Sequence, residues 1–183
     1  MLRLNLLLLL FISFQVHAYQ LSPMSFTFSP GVQFHYFVIS NDGDKKEAIQ
    51  ISMAKREMDL KGNEKHPEVE DAFMIYPDQL ILQPKERRKI KVQRLNKTTP
   101  DHEQSFRLIT EQLPINLKKK SDRKVKTSIN LLLRYIASIY IAPKEIEKKF
   151  ELVSTKVLDN KLILQIKNTG NTHFLLKNLK VKI

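Results

Sequence analysis

Apolar residues recur at every second position through most of the chain after residue 19, and this spacing constrains the fold most. The alternating sets are Phe34, Tyr36 and Val38; Ile49, Ile51 and Met53; Leu80 and Leu82; Ile90 and Val92; Phe106 and Leu108. Turn-forming stretches such as Asn41-Asp42-Gly43-Asp44 separate them. Successive side chains of a strand point to opposite faces, so the pattern predicts short half-buried strands. Many such strands and no helical periodicity indicate an all-β sandwich.

One segment departs from this pattern by its length. Ile129 to Ile141 reads as a single strand about twice as long as an ordinary one. One predicted face is wholly apolar and consists of Ile129, Leu131, Leu133, Tyr135, Ala137, Ile139 and Ile141. The segment is either buried in the sandwich's own core or overruns its sheet, and a free apolar strand then requires a partner.

The first residues have the three-part layout of a secretory signal peptide. Arg3 precedes an apolar run from Leu4 to Phe14, and Ala18 is a small residue at the expected cleavage site. The alternative is a membrane anchor, but the run is shorter than the roughly 20 residues that a spanning helix needs. We therefore predict a signal peptide over residues 1–18, a periplasmic mature protein and no stable membrane insertion after cleavage. The chain has no cysteine, so disulfides play no part in its stability.

The chain is strongly basic, with 31 lysines and arginines against 19 acids and a formal charge of +12. Such a balance is typical of proteins that bind nucleic acid or another anionic surface. Predicted export argues against nucleic acid and leaves acidic protein partners, membrane surfaces or solubility. The run from Lys118 to Lys126 predicts a mobile loop or an electrostatic docking patch.

Motifs of catalysis are absent from the sequence. The histidines are scattered, and none has metal-ligand spacing with another ligand residue. Asp101, His102 and Glu103 follow Pro100 in what reads as a solvated turn. No nucleophile elbow or phosphate-binding glycine loop occurs. We predict neither enzymatic activity nor a cofactor.

A second, shorter β region follows Pro143. Residues 144–149 read as a charged connector, Leu162, Leu164 and Ile166 alternate, and residues 174–183 read as a further strand. We expect one domain over residues 19–142 and an incomplete β domain over residues 143–183, since about 40 residues are too few for a second sandwich.

Several segments in order resemble the periplasmic chaperones of the chaperone–usher pilus pathway, most closely the archaic branch. They are VISN (Val38–Asn41), DLKG (Asp59–Gly62), FMIYPDQLILQPKERRKIKV (Phe73–Val92), EQSFRLITEQLP (Glu103–Pro114) and LLLRYIASIYIAP (Leu131–Pro143). The resemblance covers nearly all of residues 25–143, with a weaker echo over residues 162–179.

This resemblance implies an immunoglobulin-like first domain, a second domain that is truncated here, and binding of pilus or fimbrial subunits for delivery to an outer-membrane usher. The chaperone lends a strand to an incomplete subunit, which is donor-strand complementation. The implied lent side chains are Ile129, Leu131, Leu133 and Tyr135. Basic residues of the family anchor the subunit's C-terminal carboxylate, and the candidates here are Arg88, Arg107 and Arg134.

Two other interpretations remain open from the sequence. The chain could be a structural immunoglobulin-like surface or adhesion module, because such modules share the strand pattern. It could also be a nonfunctional remnant of a truncated chaperone, because the second β region is short.

Overall fold

A computed structural model describes residues 19–114 and 131–177, and all regular structure within these ranges is β. The strands are β1 (Tyr19–Ser22), β2 (Ser25–Phe28), β3 (Phe34–Asn41), β4 (Glu47–Lys55), β5 (Glu57–Met58), β6 (Glu64–Lys65), β7 (Phe73–Tyr76), β8 (Gln79–Leu82), β9 (Arg87–Arg94), β10 (Gln104–Leu113), β11 (Arg134–Ile141), β12 (Phe150–Leu158) and β13 (Lys161–Asn168). None of the described residues forms a helix with the length and hydropathy needed to cross a bilayer.

Two sheets form the predicted sandwich. One has the strand order β1-β3-β9-β7 and the other β2-β11-β10-β4-β8. All neighbours pair antiparallel except β2 and β11, which run parallel. A small hairpin of β5 and β6 extends from the end of β4. The all-β sandwich predicted from the alternation is therefore confirmed.

The core lies between the two sheets and contains the marked residues of β4, β9 and β10. The face marked for β3 is wrong, because Phe34 and Tyr36 are about half exposed whereas Phe37 and Ile39 are buried. Phe37, Ile49, Ile90, Leu108 and Ile139 are each fully buried there. Burying each such side chain stabilises the fold by roughly 1.5–3 kcal/mol. No disulfide contributes to the stability of this domain, because the chain has no cysteine.

The turn after β3 is fixed by a buried amide. Asn41 is fully buried, and its Nδ2 donates to the carbonyls of Lys45 at 2.6 Å and Gln83 at 3.1 Å. Its Oδ1 accepts from the backbone N–H of Gly43 at 2.9 Å. One side chain thus satisfies the turn's backbone groups and ties them to the loop between β8 and β9.

The long apolar segment is a strand over only part of its predicted length. Strand β11 comprises the eight residues Arg134–Ile141, while residues 131–133 precede it without a β assignment. Ile129 lies outside the described residues. Position 134 is where the register with β10 begins, opposite Glu111.

The second β region contains a hairpin of β12 and β13 with a register irregularity between Leu152 and Ser154. Strand β12 was missed because its charged and apolar residues do not alternate cleanly. The predicted strand over residues 174–183 is wrong for residues 174–177, which have no β structure, and residues 178–183 lie outside the described ranges. Most residues of the hairpin are exposed.

We expect replacement of Ile139 by alanine to lower the free energy of unfolding by about 2–5 kcal/mol, because the removed atoms lie in the closed core. Urea unfolding followed by circular dichroism measures this. The matched control is Ile81→Ala in β8 of the same sheet, which is 57% exposed and should change stability by only about 0.5 kcal/mol. Equal losses in the two variants would contradict this assignment of the core.

Candidate functional site

Strand β11 is paired unequally on its two edges. All eight of its residues are in register with β10, from Arg134 opposite Glu111 to Ile141 opposite Gln104. On the other edge, β2 pairs only with Ser138 to Ile141. Among the described residues, no strand pairs with the first half of this edge. We call residues 131–137, on the side away from β10, the open edge.

The backbone alternation shows which groups the open edge presents. The N–H of Ser138 donates to the carbonyl of Met24 at 2.9 Å, so residue 138 faces away from β10. In an antiparallel ladder the backbone groups alternate between the two sides. The N–H and C=O groups of Ile136 and Arg134 therefore point to the same open side, where an incoming strand could pair with them.

The predicted lent side chains occupy different environments. Leu131 is 76% exposed, and its neighbour Leu132 is 54% exposed. Leu133 and Tyr135 are partly buried and pack against the edge of this domain's own core. Thus the structure places one described member of the predicted set in solvent and two at the rim of the sandwich.

Tyr19 holds the start of β11 against β10. Its ring is buried and meets the ring of Tyr135 edge to face, with centroids 4.9 Å apart. Its hydroxyl lies 2.8 Å from the carbonyl oxygen of Thr110 and 3.2 Å from that of Leu133. Burial raises the pKa of Tyr19, so the phenol stays protonated and able to donate. The open edge is consequently supported from behind by the first strand of the domain.

The three candidate anchoring arginines are not brought to one place. Arg107 on β10 and Arg134 on β11 belong to the five-stranded sheet, whereas Arg88 on β9 belongs to the four-stranded sheet. Arg134 Nε lies 2.8 Å from the carboxylate of Glu111, and the Arg134 side chain is about half exposed. Such exposed pairs contribute little to stability, so this guanidinium is readily available to another anion.

Arg88 lies in a different setting. Its Nε is 2.6 Å from the carboxylate of Glu86 and its side chain is 60% exposed. It contributes to the wall of a groove of about 600 Å³ on the molecular surface, which Tyr36, Tyr76 and Lys91 also line. The groove is separate from the open edge, since no residue of β11 lines it.

Arg107 is the most enclosed of the three, with a side chain only 10% exposed. Its Nε and Nη2 both donate to the carboxylate of Glu64, at 3.1 and 2.8 Å. Its Nη1 donates to Ser138 Oγ at 2.9 Å, across the ladder between β10 and β11. This guanidinium is thus fixed in a two-pronged contact with a carboxylate beside the end of the open edge.

Glu64 is bound by more than one basic side chain. Arg56 Nε lies 2.6 Å from its Oε1, and His66 Nε2 lies 3.1 Å from its Oε2. The hydrogen bonds from Arg107, together with those from Arg56 and His66, lower the pKa of Glu64 from its usual 4.5 to about 2. We call Arg56, Glu64, His66 and Arg107 the Glu64 cluster. The sequence analysis missed it, because its members are up to 51 residues apart and meet only when the β5–β6 hairpin lies over the sheet.

A second missed contact joins the two β regions. Glu103, assigned above to a solvated turn, has a side chain only 7% exposed. Its carboxylate accepts from Thr172 Oγ1 at 2.8 Å and lies 2.6 Å from His173 Nδ1. The His173 ring stacks on Tyr140 with centroids 4.2 Å apart. Glu103 therefore fastens the turn after β13 to the end of β11, and the prediction of a solvated turn was wrong for this residue.

Metal chemistry finds no support in the described ranges. No group of three or more histidine, aspartate or glutamate residues there is arranged to hold an ion. The site offers main-chain pairing, apolar side chains and guanidinium groups, which suit the binding of an extended polypeptide.

Comparisons with known proteins agree with this arrangement. Residues 19–147 match the family described as "Pili and flagellar-assembly chaperone, PapD N-terminal domain". No curated protein matches the chain by sequence.

Solved structures share the fold at low sequence identity. The class 5 fimbriae chaperone CfaA is 17% identical with a TM-score of 0.62, over 84% of this chain and 68% of that one. A structure of the CsuC–CsuE chaperone and tip adhesion subunit pre-assembly complex of Acinetobacter baumannii is 16% identical with a TM-score of 0.62, over 84% and 73%. A structure of SafA pilin with the SafB chaperone from Salmonella enterica is 12% identical with a TM-score of 0.62, over 87% and 72%.

We expect Glu64→Gln to weaken the acid sensitivity of folding. Because the pKa of Glu64 is about 2 in the fold against 4.5 ordinarily, protons bind the unfolded chain first as the pH falls. The stability that Glu64 contributes is present above pH 4.5 and is lost between there and about pH 2. The urea concentration at the midpoint of unfolding should therefore fall less between pH 5.5 and pH 3 in Glu64→Gln than in the wild type.

The matched control is Glu57→Gln on the same hairpin. The Glu57 side chain is 52% exposed and its nearest cation, Lys55 Nζ, is 3.8 Å away. This variant should keep the wild-type acid sensitivity. If the pH dependence of unfolding is unchanged in Glu64→Gln, the Glu64 cluster does not stabilise the fold.

Proposed function

Because the chain belongs to the pili and flagellar-assembly chaperones of the PapD N-terminal domain family, we propose that it holds pilus or fimbrial subunits through the open edge of β11. The family consists of binding proteins and not enzymes. The observation that carries the proposal is the unequal pairing of β11, which is complete towards β10 and ends at Ser138 towards β2.

The chemistry of the open edge favours an incomplete β-sandwich as the partner. Unpaired backbone groups of Arg134 and Ile136 can extend a partner's sheet, each hydrogen bond contributing a net 0.5–1.5 kcal/mol or so. Leu131 is available to enter a groove between the partner's sheets, and burying one leucine contributes roughly 1.5–3 kcal/mol. Such a strand lent to a subunit is donor-strand complementation.

The proposed lent set is Ile129, Leu131, Leu133 and Tyr135. Leu133 and Tyr135 already contact the rim of the chaperone's own core. We infer that Leu131 enters furthest into the partner, while Tyr135 marks the place where the shared strand becomes part of this domain. Tyr19 supports that place through its contacts with Tyr135 and Leu133.

We also propose that the protein works in the periplasm and passes its subunits to an outer-membrane usher. The signal-peptide layout of residues 1–18 supports this, since a cleavable signal directs export across the inner membrane. The ordered motifs from Val38 to Pro143 are what support placing this chain in the archaic branch, and the CsuC–CsuE complex from archaic chaperone–usher pili shares its fold. Usher and subunit genes beside this gene would support the pathway, and their absence would count against it.

We propose that residues 19–142 form a chaperone domain and that a second β region follows from residue 143. The contacts of Glu103 with Thr172 and His173 support close apposition of the two regions. Gly170 packs within the second region, because a Cβ there would clash with the backbone oxygen of Glu147. Any larger residue would push the turn after β13 away from the segment that leads out of β11.

We expect Leu131→Glu to abolish co-purification of a subunit encoded in the same genome, because a charge at the tip of the lent segment would have to be buried in an apolar groove. Tandem affinity purification from the periplasm, with the subunit amount measured against chaperone, tests this. Stability should change little, since Leu131 is 76% exposed.

The control is Leu132→Glu, one residue along. Neighbouring residues of an extended segment point to opposite sides, so this charge should stay outside the groove and the subunit should be retained. Equal retention in both variants, or no subunit with the wild type, would sink the proposed function.

A further inference from the structure

The outer face of the four-stranded sheet carries basic residues and no acidic ones. On β9, Arg87, Lys89 and Lys91 point outward, whereas Ile90 and Val92 point into the core. None of the residues that point outward from β1, β3, β7 or β9 is an aspartate or a glutamate. Part of the chain's excess of positive charge is therefore concentrated on a surface that the open edge of β11 does not include.

Large apolar side chains lie beside these cations and are exposed. Phe34 and Tyr36 on β3 are 48% and 47% exposed, and Tyr76 on β7 is 73% exposed. In the register of the sheet, Lys91 lies between Tyr36 and Tyr76. Isolated exposed apolar residues are ordinary, but a group of them marks a surface that binds something other than water. We call Phe34, Tyr36, Met74, Tyr76, Lys89 and Lys91 the basic-aromatic face.

The lysines of this face lie over its rings. Lys91 Nζ is 4.9 Å from the centre of the Phe34 ring, and Lys89 Nζ is 5.9 Å from the centre of the Tyr36 ring. An ammonium group is attracted electrostatically to the face of an aromatic ring. Positive charge and aromatic surface are thus presented side by side.

Part of the basic-aromatic face is concave. The groove of about 600 Å³ that Arg88 borders is also lined by Tyr36, Tyr76, Lys89 and Lys91, with Ile81 of β8 as a further apolar side chain. An anionic group that enters this groove lies close to two lysines and between exposed rings.

The combination of charge and apolar surface indicates the kind of partner. A second copy of the chain is disfavoured, because two such faces would bring like charges together. Carboxylates of an acidic polypeptide are matched best by the planar fork of arginine, whereas lysines lie among the rings here. A phospholipid bilayer offers anionic phosphates above an apolar layer. Tyrosine and lysine suit that boundary, because each has an apolar body and a polar end.

We propose that the basic-aromatic face binds reversibly to the surface of a bilayer that contains anionic phospholipid. Lys89 and Lys91 contact headgroup phosphates, while Phe34 and Tyr76 enter the layer between the headgroups and the acyl chains. The binding is peripheral, and no segment of the chain crosses the bilayer. The face belongs to the four-stranded sheet and the open edge to the five-stranded sheet, so a polypeptide can occupy the edge while the face rests on a membrane.

Vesicle sedimentation measures this binding. The full mature chain is mixed with sucrose-loaded vesicles of phosphatidylcholine alone, or of equal parts of phosphatidylcholine and phosphatidylglycerol. It should sediment with the anionic vesicles only, and less of it should do so at about 0.5 M salt, because salt screens the attraction. Replacing Lys89 and Lys91 together by glutamine should weaken binding at least about tenfold, since each cation near an anionic surface contributes a factor of about five.

A matched double variant removes the same charge elsewhere. Lys55→Gln on β4 combined with Lys156→Gln on β12 changes two exposed lysines outside the face. This variant should bind anionic vesicles within about twofold of the wild type, because screening limits the effect of distant charges. Equal weakening in the two double variants, or equal binding to neutral and anionic vesicles, would overturn the proposal.

A fluorescent reporter shows which surface touches the bilayer. The chain has no tryptophan, so one introduced residue gives an unambiguous signal. Phe34→Trp places it on the basic-aromatic face, and Leu60→Trp places it at the fully exposed tip of the β5–β6 hairpin, which contacts the other sheet through Glu64 and Arg107. With anionic vesicles, the emission of Phe34→Trp should shift to shorter wavelength and be quenched by brominated lipid. The emission of Leu60→Trp should not change. A shift in both variants, or in neither, would contradict binding through this face.

An acidic polypeptide as the true ligand would give a different result. Poly-glutamate without vesicles should leave the emission of Phe34→Trp unchanged. A shift as large as the one with vesicles would replace the membrane by an acidic polypeptide and refute the proposal.

Subunit binding distinguishes this proposal from the proposed function. Lys89→Gln combined with Lys91→Gln should still co-purify with a subunit, whereas Leu131→Glu should lose the subunit and still sediment with anionic vesicles. Failure of either proposal thus leaves the measurement of the other intact.

Discussion

Eight register pairs with β10, against four with β2, hold β11 in its sheet. The odd-numbered residues Ala137, Ile139 and Ile141 are buried, so the second half of the strand is secured by the core of its own domain. Among the described residues, only β10 pairs with the first half. A strand anchored in this way can offer unpaired backbone groups without the domain having to open, and Tyr19 strengthens the anchor from the opposite sheet.

Carboxylates and basic side chains form pairs on the outer face and at the end of the five-stranded sheet. Glu64 and Glu111 each pair with an arginine of that sheet, and Glu103 joins His173 at its end. The enclosed pair of Arg107 and Glu64 differs from the exposed pair of Arg134 and Glu111 in how strongly the arginine depends on its carboxylate. Arg107 requires a carboxylate because burial without one is costly, whereas Arg134 is solvated and needs none. Arg107 therefore depends on Glu64 for its pairing, whereas Arg134 does not depend on Glu111.

Alternation predicted β3, β4, β8, β9 and β10, because each has one face on the core and one outside, and this leaves a period of two in the sequence. It also predicted β13, although most residues of that strand are exposed. Strands β5 and β6 have two residues each, too few to carry a period, and β12 has apolar residues on both faces. The strand from Ile129 was predicted from an unbroken apolar face. Apolar alternation does not indicate where pairing with a neighbouring strand begins. Residues 131–133 have no β assignment, although the carbonyl of Leu133 still accepts from the N–H of Gln112 on β10 at 2.9 Å.

The sequence by itself determined the all-β sandwich, most of the core residues outside β3 and the identity of the segment that contains β11, since these follow from local periodicity and from motifs in a fixed order. In β3 both faces carry large apolar or aromatic side chains, so periodicity did not indicate which face is buried. Only the tertiary structure decided which edge of β11 is open, that Arg88 lies apart from Arg107 and Arg134, and that Glu64 pairs with Arg107. Strand order and contacts between residues such as Glu64 and Arg107 are long-range properties. They depend on how distant segments pack, and no spacing along the chain encodes them.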